Sequence, residues 1–224
     1  MKKYVVIDLE MCQVPRSQRK YFNYGMEIIE IGAVMMDESF RILKNFQKYV
    51  CPKYGHITPE ITRLTGIKKV TLSGAGDLKD ALSDFNAWIG DEEVTFVSWS
   101  ITDRKQLQKE IKEKAIGTFP STSMEEAWED SQALFAEKVN RKKKFALQEA
   151  LVAADIKTEG KAHDALDDAY NTALLYKKLK QETELALNTY YESSFREEQH
   201  TLCFSLGDLL GSLSVKEPLP AYQG

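Results

Sequence analysis

The sequence predicts an α/β domain, a mixed sheet flanked by helices. Three observations carry this expectation. Three runs rich in β-branched and aromatic residues follow one another near the N-terminus, the last two joined by a turn short enough for a hairpin. Beyond them, segments with apolar residues at three- and four-residue steps read as amphipathic helices. Between two of those segments lies a further apolar run, 93–98. Strands followed by alternating helices and strands make a mixed sheet with helices packed on it.

The first strand covers about 3–10, where Val5, Val6 and Ile7 form a continuous apolar run suited to burial on both faces. A loop, 13–25, carries Pro15 and the bases Arg16, Arg19 and Lys20. The second strand spans Glu27 to Met36 and the third Phe40 to Val50, joined near Ser39. Thr58-Pro59 starts a short helix, with a capping hydroxyl and proline in the first helical position, and Gly66 stops it. A helix over 76–89 sets Leu78, Leu82, Phe85 and Ile89 on one face. The fourth strand, 93–98, is apolar enough to be central. Thr102 is the expected cap of a helix reaching Lys114, and Ser123-Met124-Glu125-Glu126 reads as a capping box opening another. Helices at Phe145–Ala154 and His163–Gln181 complete a domain over 1–182. The extension 183–224 mixes helical spacing with Pro218 and Pro220. It fits a packed tail, a dimer contact or a partner-binding segment.

Of 224 residues, 43% are hydrophobic and 29% charged, an ordinary globular balance. No apolar stretch approaches the roughly 18 residues of a membrane span. The N-terminal residues lack the apolar core of a signal peptide. A cytoplasmic protein with no membrane contact is expected. Cys12, Cys51 and Cys203 are three and widely spaced, which argues against a disulfide framework or a zinc site. The net charge of −4 and pI near 5.6 argue against a protein that coats long nucleic acid. Any nucleic-acid contact should be short and local.

Chemistry concentrates in a few acids. Asp8 and Glu10 lie two apart at the end of a buried strand, so their carboxylates point the same way. Like charges there repel and are costly to desolvate unless a cation sits between them. Hard oxygen ligands suit magnesium or manganese. Asp103 follows the fourth strand at a helix start, where the helix dipole alone would also favour a carboxylate. Asp167-Asp168 lies just after His163, and a histidine in the loop before that helix could reach the same pocket. Taken singly, each acid also fits a solvated end of an element. His56 and His200 lack acidic company and read as structural or surface residues.

Together, Asp8-x-Glu10, Asp103 and His163-x-x-x-x-Asp168, in this order and spacing, closely resemble the DEDDh 3′–5′ exonucleases of the ribonuclease-H-like fold. The resemblance covers roughly 1–180. Glu27-Ile28-Ile29-Glu30-Ile31-Gly32-Ala33-Val34 is similar to that family's second strand. Phe46-x-x-Tyr49-Val50-x-Pro52, Leu64-Thr65-Gly66-Ile67 and Trp99-x-x-x-Asp103-Arg104-x-x-Leu107 resemble its histone-mRNA-end (Eri-1-like) branch, and within it the KapD-like sporulation-inhibitor group. Ser100 departs from the glycine that relatives often carry after the tryptophan.

The resemblance implies phosphodiester hydrolysis with two divalent cations, Mg2+ with Mn2+ as substitute. Asp8, Glu10, Asp103 and Asp168 would be the metal ligands, Asp168 rather than Asp167 by the family spacing, and His163 the general base. The expected substrate is single-stranded RNA or DNA with a free 3′ end, RNA favoured, yielding nucleoside 5′-monophosphates. Met11 and Trp99 are candidate contacts to the terminal nucleotide, Trp99 by stacking, although a core tryptophan fits equally well. Arg141-Lys142-Lys143-Lys144 is a candidate phosphate contact or a solvated charge run. Two alternatives stay open: oligoribonuclease-like action on very short RNA, and a regulatory role in which the fold binds RNA ends or a protein partner such as a kinase, the extension being one route to such a partner.

Overall fold

The computed structural model describes residues 2–21, 24–117 and 127–191. The chain divides into two units, Met1–Leu185 and Ala186–Gly224. Every element described here lies in the first. In chain order they are β1 (Lys3–Gln13), β2 (Met26–Met36), β3 (Ile42–Tyr49), α1 (Pro59–Thr65), α2 (Lys69–Ser73), α3 (Leu78–Ile89), β4 (Val94–Ser98), α4 (Ile101–Glu113), β5 (Trp128–Asp130), α5 (Ser131–Lys138), α6 (Leu147–Ala153) and α7 (Ala165–Gln181).

The sheet has the order β3-β2-β1-β4-β5. β1 to β3 form an antiparallel meander, and β4 and β5 add parallel to β1. β1 therefore sits in the middle with a partner on each side, which explains its unbroken apolar start. Its side chains alternate between two cores. Val5, Ile7 and Leu9 face α3 and α4 together with Ile31, Ala33, Phe85, Phe96 and Leu107. Val6 faces the other way, with Val34, Met36, Val97 and the α7 residues Ala173 and Tyr176. Asp8 and Glu10 share Val6's parity, so they continue the row that α7 covers.

Several boundaries differ from expectation for local reasons. β1 runs on to Gln13, because after a bulge at Glu10/Met11 its residues keep pairing with Ile28, Glu27 and Met26. β3 starts at Ile42, since Phe40 sits at φ +58 in a turn whose amides at Ser39 and Arg41 donate to the Asp37 carboxylate. α3 is capped by Asp77 in a reciprocal box with Asp80. α4 is capped by Ser100, whose Oγ accepts the Thr102 amide at 3.2 Å, so Thr102 is inside the helix and not its cap. α7 begins at Ala165 behind an Asp164 cap, leaving His163 in the loop. The expected helix start at Ser123 lies outside the described residues. The short α2, β5 and α5 carry too little periodicity to be seen in sequence.

Candidate active site

The site is built where the parallel ladder between β1 and β4 ends. That ladder pairs Lys3–Val6 with Val94–Val97. Three residues beyond Val6, the Leu9 amide hydrogen-bonds to the carboxylate of Asp103, in the first turn of α4. Asp103 is thereby brought to β1 at the carboxyl end of the parallel strands, the usual place for ligands in an open α/β sheet.

α7 supplies the other wall. Asp8 pairs with Gly32 on β2, and a Cβ on Gly32 would lie 2.1–2.2 Å from backbone atoms of Ala165 and Leu166. The missing side chain lets the first turn of α7 rest directly on the sheet. That close approach places Asp168 beside Asp8 and Glu10. Ligand atoms of Glu10, His163 and Asp168 all lie within 4.8 Å of one another. Asp168 Oδ2 accepts the His163 amide at 2.8 Å, whereas its Oδ1 is buried with no hydrogen-bond partner among the described residues. His163 is exposed, in the left-handed conformation at φ +64.

The electrostatics follow from this crowding. Asp8 keeps some solvent contact but lies deep among protein atoms. Burial first, then the charges of Asp103, Asp168, Glu10 and Glu30, push its pKa well above the carboxylate range. Burial and the charges of Asp168 and Glu30 push Glu10 up to about 8. Burial pushes Asp103 up to about 7 against its amide hydrogen bonds, with the Asp130 charge adding to the rise. Burial also raises Asp168, opposed by the His163 amide and imidazole. Carboxylates that hinder one another's ionisation, one with an orphaned buried oxygen, form a donor set that fits hard divalent cations.

The structure thus brings Asp8, Glu10, Asp103, Asp168 and His163 to one end of β1. Sequence reasoning missed Glu30. It stands directly opposite Glu10 across the β1–β2 pair, is buried, and is pushed up to about 7, chiefly by burial. Its Oε1 accepts from Gln47 at 2.8 Å and its Oε2 from the Ala165 amide at 3.4 Å. An acid inside the apolar run Glu-Ile-Ile-Glu-Ile was the available signal.

Trp99 is 8% exposed, its indole N–H donates to the Phe145 carbonyl at 3.1 Å, and its ring packs on Phe135. Ring and N–H are both engaged there, the core arrangement that the sequence left open beside stacking. Met11 follows the bulge and packs, partly buried, on the α3–α4 face of the sheet. Arg141–Lys144 line a cleft of about 470 Å³ that also includes Ser100, Thr102 and Asp130, next to Asp103. In the 13–25 loop, Arg19 is occupied in part by the Val14 carbonyl, at 3.2 Å. Cys12 is a buried free thiol, pushed up to about 12 by burial and the charges of Glu27 and Glu110, as befits core packing. His56 bridges to Gln13 through its backbone. Among the described residues no helix is long and apolar enough to cross a membrane.

Comparison with known proteins agrees with this geometry. ERI1 exoribonuclease 2 of Mus musculus is 33% identical over 186 residues, covering 68% of this chain and 25% of the relative. The chain thus spans about a quarter of that relative's length. A 3′-exonuclease solved in 3′-end-specific recognition of a histone mRNA stem-loop superposes with a TM-score of 0.68 at 19% identity, over 83% of this chain and 66% of the other. The nuclease domain of 3′hExo, a DEDDh family member solved bound to rAMP, gives 0.65 at 18% identity, over 83% of this chain and 96% of the other. These neighbours establish the ribonuclease-H-like fold of the DEDDh exonucleases. The family model for exonucleases of the RNase T type matches residues 5–176, and this chain belongs to that family.

Proposed function

We propose that this chain is a divalent-cation-dependent 3′–5′ exonuclease acting in the cytoplasm on single-stranded nucleic acid, RNA before DNA, through its domain at 1–182. The observation that carries the reading is the convergence of Asp8, Glu10, Asp103 and Asp168 with His163 on one end of β1. The preference for RNA draws on the relative named an exoribonuclease.

Asp8, Glu10, Asp103 and Asp168 would hold the cations, Mg2+ in the first instance. Bound there, the cations would supply Lewis-acid activation of water and neutralise charge on the scissile phosphate. Hard oxygen ligands suffice for Mg2+, which leaves the His163 imidazole for proton transfer. A nitrogen of that ring takes a proton from the attacking water. The new bond forms between water oxygen and phosphorus, and the bond from phosphorus to the 3′ oxygen of the preceding nucleotide breaks, that oxygen leaving with the electron pair and taking a proton from solvent to become a 3′-hydroxyl. The released nucleotide keeps its 5′-phosphate. Met11 lies next to Glu10 and suits an apolar contact to the terminal nucleotide. Arg141–Lys144 suit the phosphates upstream of it.

The test compares single-stranded RNA with a free or a blocked 3′ end, with Mg2+ or with EDTA, and resolves the products by chromatography. Nucleoside 5′-monophosphates should form from the free end only, and only with the cation. Internal cleavage or 3′-monophosphates would contradict the reading.

A further inference from the structure

Of the adjacent acids that open α7, only Asp168 turns toward the cluster. Asp167 turns onto the loop that carries His163. Its Oδ2 accepts the Lys161 amide at 2.7 Å. Gly160 lies against the same carboxylate: a Cβ there would fall 2.1–2.3 Å from Asp167 Cγ and both oxygens, and the residue sits at φ +67. Both facts favour glycine. One turn along, Asn171 grips the loop's far end, with Oδ1 accepting the Glu159 amide at 2.9 Å and Nδ2 donating to the Glu159 carbonyl at 2.9 Å. Asp168 holds the near end through the His163 amide. Residues 159–163 are thus fastened to one helix at successive points, and Asp167 is the middle one. The histidine needs such fastening, because its left-handed backbone is one that side-chain-bearing residues seldom adopt.

We propose that Asp167 is a positioning residue. By clamping Gly160-Lys161 it fixes the loop so that the His163 imidazole stands beside Glu10 and Asp168. It touches neither cation nor substrate and acts through the histidine. The inference rests on the proposed hydrolysis, in which His163 moves a proton.

The test is a double-mutant cycle on kcat, with wild type, Asp167→Ala, His163→Ala and the double variant, and Asp167→Asn beside them. Asp167→Ala should lower kcat about ten-fold or more with KM nearly unchanged, as for a misplaced reacting group. In the His163→Ala background the same change should cost less than about two-fold, because coupled residues are not additive. Asp167→Asn keeps an oxygen for the Lys161 amide and should stay within about three-fold of wild type. An equal loss in both backgrounds would overturn the proposal, since Asp167 would then act on the fold or the acids. Hydrogen exchange at the Lys161 and His163 amides, measured without substrate, gives an answer independent of turnover. Protection should fall in Asp167→Ala and return in Asp167→Asn, and unchanged protection would overturn the clamp. A wild-type protein that shortens no 3′ end defeats the proposed function instead, and the exchange data still decide the clamp.

Discussion

Asp8, Glu10, Glu30, Asp103 and Asp168 meet at the end of one strand pair, and burial together with mutual repulsion makes them hard to ionise. This has a consequence for stability. Each carboxylate's pKa is higher folded than unfolded, where it lies near about 4. The folded state therefore binds more protons between that value and about 8, the level reached by Glu10. Stability of the cation-free protein should be greatest at acid pH within the folded range and fall as pH rises through 7 to 8. Asp8→Asn removes one repelling charge, so its thermal midpoint without cations should exceed that of wild type at pH 8 and approach it at pH 5. Added Mg2+ should raise the wild-type midpoint more at pH 8 than at pH 5, because it binds only the folded, ionised site. Thermal melts across pH, with EDTA or Mg2+, check both statements. A wild-type midpoint that climbs with pH under EDTA would show that the acids are not crowded as described. At this scale Asp8 and Glu10 were legible because a strand's two-residue period is a local rule. Glu30 was not, since its place depends on pairing with a strand some twenty residues away. Trp99 stayed open between stacking and core packing for a similar reason, because only tertiary packing shows what an aromatic ring touches.

At the scale of elements, the site depends on how closely α7 approaches the sheet. Gly32 is the contact, and the strand there is regular, so the constraint is space rather than backbone conformation. Gly32→Ala must push the first turn of α7 away from β1. The expected cost is about 1–3 kcal/mol, as for overpacking elsewhere, measured by urea unfolding. Activity should fall further than stability alone explains, because Asp168 and His163 both ride on that turn. A variant with wild-type turnover would mean that α7 can shift without disturbing the acids. Just beyond Glu30, toward the start of β2, lies a buried ionic group. Lys114 Nζ lies 2.7 Å from Glu27 and 2.8 Å from Glu110, and Glu27 also accepts the amides of Lys53, Tyr54 and Gly55. That group ties α4, β2 and the 51–57 loop together beside Cys12, at the same end of β1 as the acids. Its partners are spread over some ninety residues, beyond the reach of any local pattern.

For the whole molecule, strand order could be inferred only as a class. The meander and the following alternation of helices and strands were visible, because long periodic segments dominate this fold. The three-residue β5 and five-residue α2 were not, because so few residues cannot display a period. The central position of β1 explains the arrangement of function. Antiparallel to β2 and parallel to β4, it is placed to receive acids from both flanking helix layers. Asp103 arrives from α4 and Asp168 from α7, on opposite faces of the sheet. The central claim is that these groups form one hydrolytic centre working from the 3′ end. The most direct measurement is a time course on a 5′-end-labelled single-stranded RNA with Mg2+, comparing wild type with Asp8→Asn and His163→Ala. Wild type should give a ladder shortening from the 3′ end, Asp8→Asn none, and His163→Ala a loss of about 10²–10⁴-fold, the usual contribution of a general base. A ladder of wild-type rate from Asp8→Asn would contradict the claim.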